Sequence, residues 1–288
     1  MQYFAVVTLN GLTLAALYFL AASGFTLIFG LMRTVNMAHG GLLLLGAYLG
    51  YEITTASGSW VIGLVGSAIG TAAVGALIQA CLLGRYQGEE LRQTLLTIAL
   101  SIILADLMLA YWGGITYQIE MPALLSGSVF LPVLNIGYAA VRIFVMVLAI
   151  GIGVGLWLLI SRTKLGMMIR AGVDDRDMLR ALGFNVGRIF IYVFALGGAL
   201  AGVAGNVAAS ALSVAPGTDV QYLLFSLVVV IVGGMGSVGG AALGALMVGL
   251  AEQYGLAYAP TYSVVFTFGL MVLVLAFRPQ GLIGKAEV

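Results

Sequence analysis

Nine long apolar stretches follow one another along the chain, near residues 4–31, 37–56, 60–83, 94–112, 137–160, 188–213, 221–234, 239–256 and 261–277. About 20 apolar residues in a helix cross the hydrocarbon core of a bilayer, and most of these stretches reach that length. The composition leaves no other solvent for them. Of 288 residues, 62% are hydrophobic and 8% are charged, whereas an ordinary soluble domain is about 25% charged. Twelve Lys and Arg with eleven Asp and Glu cannot clothe a water-exposed body of this size. The chain is too apolar for disorder, and its 41 glycines lack the every-third-residue period of collagen. The expected fold is all-α: a polytopic helical membrane protein with about 8–9 transmembrane segments.

Scarce residue types narrow the chemistry. Cys81 is the single cysteine and His39 the single histidine, which excludes an internal disulfide and any zinc site built from several Cys or His ligands. A net charge of +1 gives no general attraction to nucleic acid. With one histidine and no GxSxG elbow, a Ser-His-Asp hydrolase is excluded as well. The N-terminus has no basic region ahead of its apolar stretch and reads as a retained first span.

Basic residues cluster. Arg162, Lys164, Arg170, Arg176, Arg180 and Arg188 fall within one short stretch, Arg85 and Arg92 flank another loop, and Arg278 and Lys285 lie in the C-terminal tail. The segments 113–136 and 214–220 carry no Lys or Arg. The positive-inside rule then places the N-terminus outside and the C-terminus in the cytoplasm. Arg142 is the one dissenter. Nine crossings result if the glycine run at 233–240 is a cytoplasmic turn, and fewer if it breaks one bent helix. Glu52, Glu120 and Glu252 sit near span ends and read as solvated, while Trp60, Tyr111, Trp112 and Tyr138 form an aromatic belt. The chain reads as one domain, 1–288, with no linker. Its longest polar stretch, 161–188, is too small to fold alone.

Two segments combine spanning hydrophobicity with interruption, one in each half: SGFTLIFGLMRTVNMAHGGLLLLGAYLG (23–50) and SLVVVIVGGMGSVGGAALGALMVGL (226–250). Irregular chain at membrane depth is tolerated where protein buries it or where it lines a polar cavity. Paired interruptions in two halves also point to a transport site. The expected pathway residues are therefore Asn36, His39, Gly40 and Gly41 in the first break and Gly233, Gly234 and Ser237 in the second. Gly46 and Gly50 fit close helix packing instead. For His39, three roles are open: holding the broken backbone, lining the path, or titrating. Asp106 lies well inside a span, where a carboxylate costs about 2.5–3.5 kcal/mol on insertion scales, so it must face the interior or be neutral.

The polar stretch contains RAGVDDRDMLRALGFNVGR (170–188), which reads as a short amphipathic helix. Asp174 suits the N-cap, and Asp175 and Asp177 suit the positive end of the helix dipole. Met178, Ala181 and Leu182 form an apolar face, and Gly183 suits the C′ position. Arg176 and Arg180 project elsewhere. Three acids at its start disfavour an anionic membrane surface and favour a groove in a soluble partner.

These residues resemble the H-type membrane permease subunit of bacterial branched-chain amino acid ABC transporters. NMAHGGLLLLGAY (36–48), RAGVDDRDMLRALGFNVGRI (170–189), GGMGSVGGAALGAL (233–246) and FRPQGLIG (277–284) are similar to family motifs from the first span to the last. The resemblance implies an ATP-driven importer in the bacterial inner membrane. Its further parts are a second homologous permease subunit, two cytoplasmic ATPase subunits and a periplasmic solute-binding protein. ATP and magnesium would be bound by the ATPases, leaving this chain no cofactor and no catalysis. Asn36, His39 and Gly40 match the family's broken-helix motif. Asp174, Asp175, Leu182 and Gly183 match its ATPase-coupling loop, to which Arg170, Met178 and Arg180 are expected to contribute. Many members place an acidic residue after the histidine-glycine pair, where this chain has Gly41 and then leucines. Neighbouring branches of the family carry urea, short amides and aromatic acids. A stand-alone ion-coupled transporter or channel, using Asp106 or His39 for the proton, is the alternative from another class.

Overall fold

A computed structural model describes residues 2–32, 34–132, 135–174 and 176–284. Arg33 and Asp175 lie outside it, as does the side chain of Asp174. Its helices are α1 (Gln2–Met32), α2 (His39–Ser57), α3 (Trp60–Cys81), α4 (Glu90–Trp112), α5 (Ala140–Arg162), α6 (Lys164–Asp174), α7 (Arg176–Ala181), α8 (Val186–Ala211), α9 (Thr218–Gly233), α10 (Val238–Tyr258) and α11 (Ser263–Phe277). The apolar stretches and these helices agree to within a few residues. Among the described residues, six helices are long and apolar enough to cross a bilayer, or seven if the bent pair α9–α10 is one span. His39 and Glu52 keep α2 less apolar, yet it is enclosed by α3, α4, α8 and α9. Six to seven spans among the described residues are roughly in line with the expected 8–9.

The core forms around α1, which packs on α5, α8, α9 and α10. At 31 residues it is about 46 Å long, more than a bilayer's hydrocarbon requires. Around it the helices approach through small residues. Gly46 of α2 rests on Gly202 of α8, and Gly50 on Asn206, leaving no room for a Cβ between them. In lipid, where apolar burial drives no helix association, such close backbone contact supplies the packing energy. The outer faces of α3, α4, α5 and α11 stay largely uncovered.

Two local features depart from the expected all-helical picture. Within the segment that lacks basic residues, β1 (Ser128–Leu131) pairs antiparallel with β2 (Ile136–Ala139). Tyr117 and Val214 form an isolated bridge nearby. The expected helix from 174 onward is described as α7, with α6 preceding it and residue 175 outside the described residues. Asp174 closes α6 and is not the N-cap of a helix beginning beside it. The other end is as expected. Gly183 takes φ +84°, the N–H of Phe184 donates to the Leu179 carbonyl at 3.3 Å, and the N–H of Gly183 donates to that of Arg180 at 2.9 Å. Glycine at this left-handed position ends the helix without strain.

Arg142, the dissenting cation, donates to Asn10 and lies over the Tyr138 ring. Glu252 is not simply solvated: it is partly buried and accepts a 2.7 Å bond from Tyr18, whose ring stacks on Phe225.

Candidate functional site

The first interruption is a short non-helical passage, 34–38, between α1 and α2. His39 opens α2 and is fully buried. Its Nε2 lies 2.8 Å from the Ala21 carbonyl of α1. A carbonyl accepts, so Nε2 carries the proton and donates. Phe25 meets the ring edge-on. Ala21 precedes the end of α1 by eleven residues, about 16 Å of helix. The imidazole thus ties the start of α2 to the interior of α1, well away from that helix's end.

Side chains satisfy the backbone freed by the break. Asn36 Oδ1 accepts from the Ala38 N–H at 3.1 Å. Thr97 of α4 accepts from the Met37 N–H at 3.2 Å. Thr34 donates to Gln93 at 3.1 Å, and Gln93 reaches back to the Leu83 carbonyl. Some polar capacity is left over: Asn36 Nδ2 and His39 Nδ1 are buried without a partner among the described residues. Gly40 presses on the Asp219 backbone in the first turn of α9, a contact that a side chain would occupy. Gly41 faces Leu104 at ordinary packing distance.

Beside this junction, α2, α4 and the start of α9 enclose a hollow of about 230 Å³. Asp106 and Asp219 line it, with Tyr48 and mostly apolar neighbours. Asp106 is on the uncovered side of α4, while Asp219 and Tyr48 are buried. Tyr48 stacks on Trp112, their centroids 4.8 Å apart and nearly parallel. Trp112 in turn donates to Glu52 at 3.1 Å.

The second interruption lies elsewhere and is built differently. α9 and α10 diverge by 114° across Gly234 and Gly236, which take φ +106° and +80°. Gly233 packs on Gly240, and Ser237 Oγ accepts from the Gly240 N–H at 3.0 Å. The C-terminal tail folds back on the end of α9, where Leu282 and Ile283 donate to the Val232 and Gly233 carbonyls at 2.9 and 3.0 Å. The last turn of α1 reaches the second break, where Gly30 abuts Gly236. Of the expected pathway residues, Gly40 meets Asp219 and Gly41 meets Leu104, His39 turns to α1, and Asp106 lines a hollow that none of the first-break residues lines, whereas Gly233, Gly234 and Ser237 form the tail-capped turn.

A third locus is the polar stretch. Leu179 of α7 is buried, but Met178 and Leu182 are 57% and 64% exposed, with Phe184 at 46%. Arg180 donates to Gln87 at 3.4 Å, and Arg170 donates to the Ile160 carbonyl. An apolar tip therefore projects from a framework held by arginines. Tyr48, Asp219, Gln93, Thr97 and the tail's capping role were not anticipated. Only an acid at the start of a short apolar run, as Asp219 is, carried any signal.

Comparison with known proteins agrees with this architecture. The pattern of the family described as branched-chain amino acid transport system / permease component matches residues 7–275. The chain is 32% identical to the high-affinity branched-chain amino acid transport system permease protein BraD of Pseudomonas aeruginosa, over 97% of this chain and 95% of that one. It is 27% identical to the corresponding protein LivH of Escherichia coli, over 99% and 97%. It is also 31% identical to LivM of Escherichia coli, over 43% of this chain and 29% of that one. The chain is therefore a membrane permease and belongs to the branched-chain amino acid transport system permease component family.

Proposed function

We propose that this chain is the membrane-spanning subunit of an ATP-driven bacterial importer for branched-chain or related amino acids. The observation that carries the reading is the family match over residues 7–275, supported by BraD and LivH relatives along nearly the whole chain. In this reading the chain sits in the inner membrane with its C-terminus in the cytoplasm. It pairs with a second, homologous permease, as the similarity to both LivH and LivM suggests. Two ATPase subunits bind ATP and magnesium, and a periplasmic protein delivers the solute.

Mechanically, the exposed tip of Met178, Leu182 and Phe184 enters a groove on the ATPase. Leu179 and the Arg180–Gln87 bond fix α7 to the permease body. Closure of the ATPases then moves α6 and α7 as a lever. Through α1 and α8, both packed on α6, that motion reaches the α2–α4–α9 junction. Such rigid-body rocking exposes a site alternately to the two sides.

Reconstituted vesicles test this. The assembled complex should accumulate leucine only with ATP inside the ATPase compartment. Uptake that persists without the ATPases and collapses with the proton gradient would show a stand-alone ion-coupled transporter instead. Leu182→Asp should lower ATP-dependent uptake about tenfold or more, the effect of losing one buried apolar anchor, while membrane insertion stays normal. Wild-type uptake by that variant would rule out α7 as the docking element.

A further inference from the structure

We infer that the outward face of α4, along Leu95, Ala99, Ile102, Asp106 and Leu109, is the surface on which a second, homologous permease subunit packs. Asp106 is the polar contact of that seam. The inference rests on the pairing in the importer reading and specifies which face of this chain makes it.

The depth of Asp106 poses the problem. It is exposed on α4, six residues before the end of the helix at Trp112, about 9 Å along the axis. Tyr111 and Trp112 mark the membrane surface, so the carboxylate lies within the hydrocarbon zone. Its exposed neighbours on the helix are Ile102, Ile103, Leu107, Leu109 and Ala110. Lysine and arginine can snorkel out from such a depth on their long stems, but an aspartate side chain is too short. Among the described residues, Asp106 joins no ion pair. Carboxylates in spanning segments face protein or water and find partners there. This face of α4 is therefore turned to something other than lipid.

The other uncovered helices make the contrast. α3, α5 and α11 also leave faces open, but their stretches 61–80, 143–161 and 263–277 carry no charged residue and suit lipid. α4 is also held by its own chain on one side, chiefly by α2 and the turn Leu83–Tyr86, against which Gln93, Thr97 and Met108 are buried. On the opposite side, Leu95, Ala99, Ile102, Asp106 and Leu109 recur at alternating steps of four and three, the spacing that keeps one face turned to a crossing helix. Ala99 lets that helix approach closely. Charge selects the occupant. A second copy meeting this face about a two-fold axis would set Asp106 against Asp106, two like charges away from water. A homologous but different chain can place a cation or an amide there instead.

Photocross-linking of the assembled transporter in lipid nanodiscs tests the face directly. Benzoylphenylalanine replaces Ile102 on α4 and, in separate samples, Ile69 on α3, Ile150 on α5 and Val265 on α11, all of them exposed. Mass spectrometry identifies what each captures. Illumination should join position 102 to the second permease. Lipid adducts alone from position 102, or an adduct to a second copy of this chain, overturn the proposal. Capture of the second permease from α3, α5 or α11 but not from α4 also overturns it, and leaves the importer reading standing. If no position captures another permease, and leucine is still taken up with ATP by complexes in which this chain is the sole permease species, the pairing in the importer reading falls together with the face. A second measurement addresses the acid. Asp106→Leu should lower the second permease retained on affinity purification of this chain about tenfold or more. Asp106→Asn, which can still hydrogen-bond, should keep it within about threefold. Undiminished retention in Asp106→Leu overturns Asp106 as the contact of the seam. Should both variants fail to insert, the cross-link from position 102, which leaves Asp106 in place, decides.

Discussion

The two interrupted segments pose the same physical problem and solve it with different chemistry. Each frees backbone groups inside a membrane protein, and each must satisfy them from within. Between α1 and α2, side chains supply partners for the freed amides, Asn36 for its own loop and Thr97 from α4, beside one backbone bond from His39 to Asn36, while Thr34 bonds Gln93 and the His39 ring ties α2 to α1. Between α9 and α10 the partners are almost all backbone. Glycines make the turn, the tail amides cover the α9 carbonyls, and among the described residues Ser237 is the side chain that contributes. Burial differs too. Asn36 and His39 are buried, whereas Met235 and Gly236 are exposed. A break held by side chains keeps spare polar groups, and it lies next to the hollow. A break held by backbone is capped at both ends. For the importer proposed above, the first break is then the candidate for contact with a solute and the second the candidate mechanical joint.

The largest effect should come from cutting the strut of the first break. His39→Ala removes the bond to Ala21 and empties a fully packed position. Together these losses should cost about 3 kcal/mol, read as a lower thermal midpoint of the solubilised complex. His39→Gln, which retains an N–H donor of similar reach, should recover a good part of the loss. A midpoint equal to wild type in His39→Ala would end the contrast, because the side-chain network would then be dispensable.

The legibility of these features follows the range of their interactions. Spans were visible because twenty consecutive apolar residues need no partner to be recognised. His39 stood out as a lone polar group among leucines, and the stop at Gly183 as a local motif complete within six residues. The partners of the first break were invisible: Thr34 meets Gln93 across 59 positions and Met37 meets Thr97 across 60, and no period links them. Tyr48 looked like one more aromatic in a span. Asp219 looked like a loop acid, since only the fold shows its helix beginning against Gly40. The tail's role was hidden for another reason. Its Leu282 and Ile283 act through N–H groups that every residue but proline has. The paired strands β1 and β2 likewise lie in a segment without alternation.

The intermediate effect belongs to the joint. Deleting residues 279–288 removes the two amides that cap α9, about 1 kcal/mol for each bond and about 2 in all. The expected readout is a lower thermal midpoint of the solubilised complex. An unchanged midpoint would mean that the tail amides do not hold the second break, which would erase the distinction between the two breaks.

Ser237→Ala should have the smallest effect, and its size is the finest measure of the comparison. The hydroxyl accepts one N–H at the start of α10, the role of an N-cap, and losing such a cap costs about 1 kcal/mol. Were Ser237 as deeply enclosed as Asn36, the abandoned Gly240 amide would face its full desolvation penalty and the cost would approach about 3 kcal/mol. Ser237 is half-buried beside the exposed Gly236, so a water can take the place of the hydroxyl. Ser237→Asn, another good cap, should be near neutral. Measured against Thr97→Val, which strands the Met37 amide in the more enclosed break, Ser237→Ala should lower the thermal midpoint less. The reverse order would show that the second break is the more deeply buried of the two in the assembled transporter.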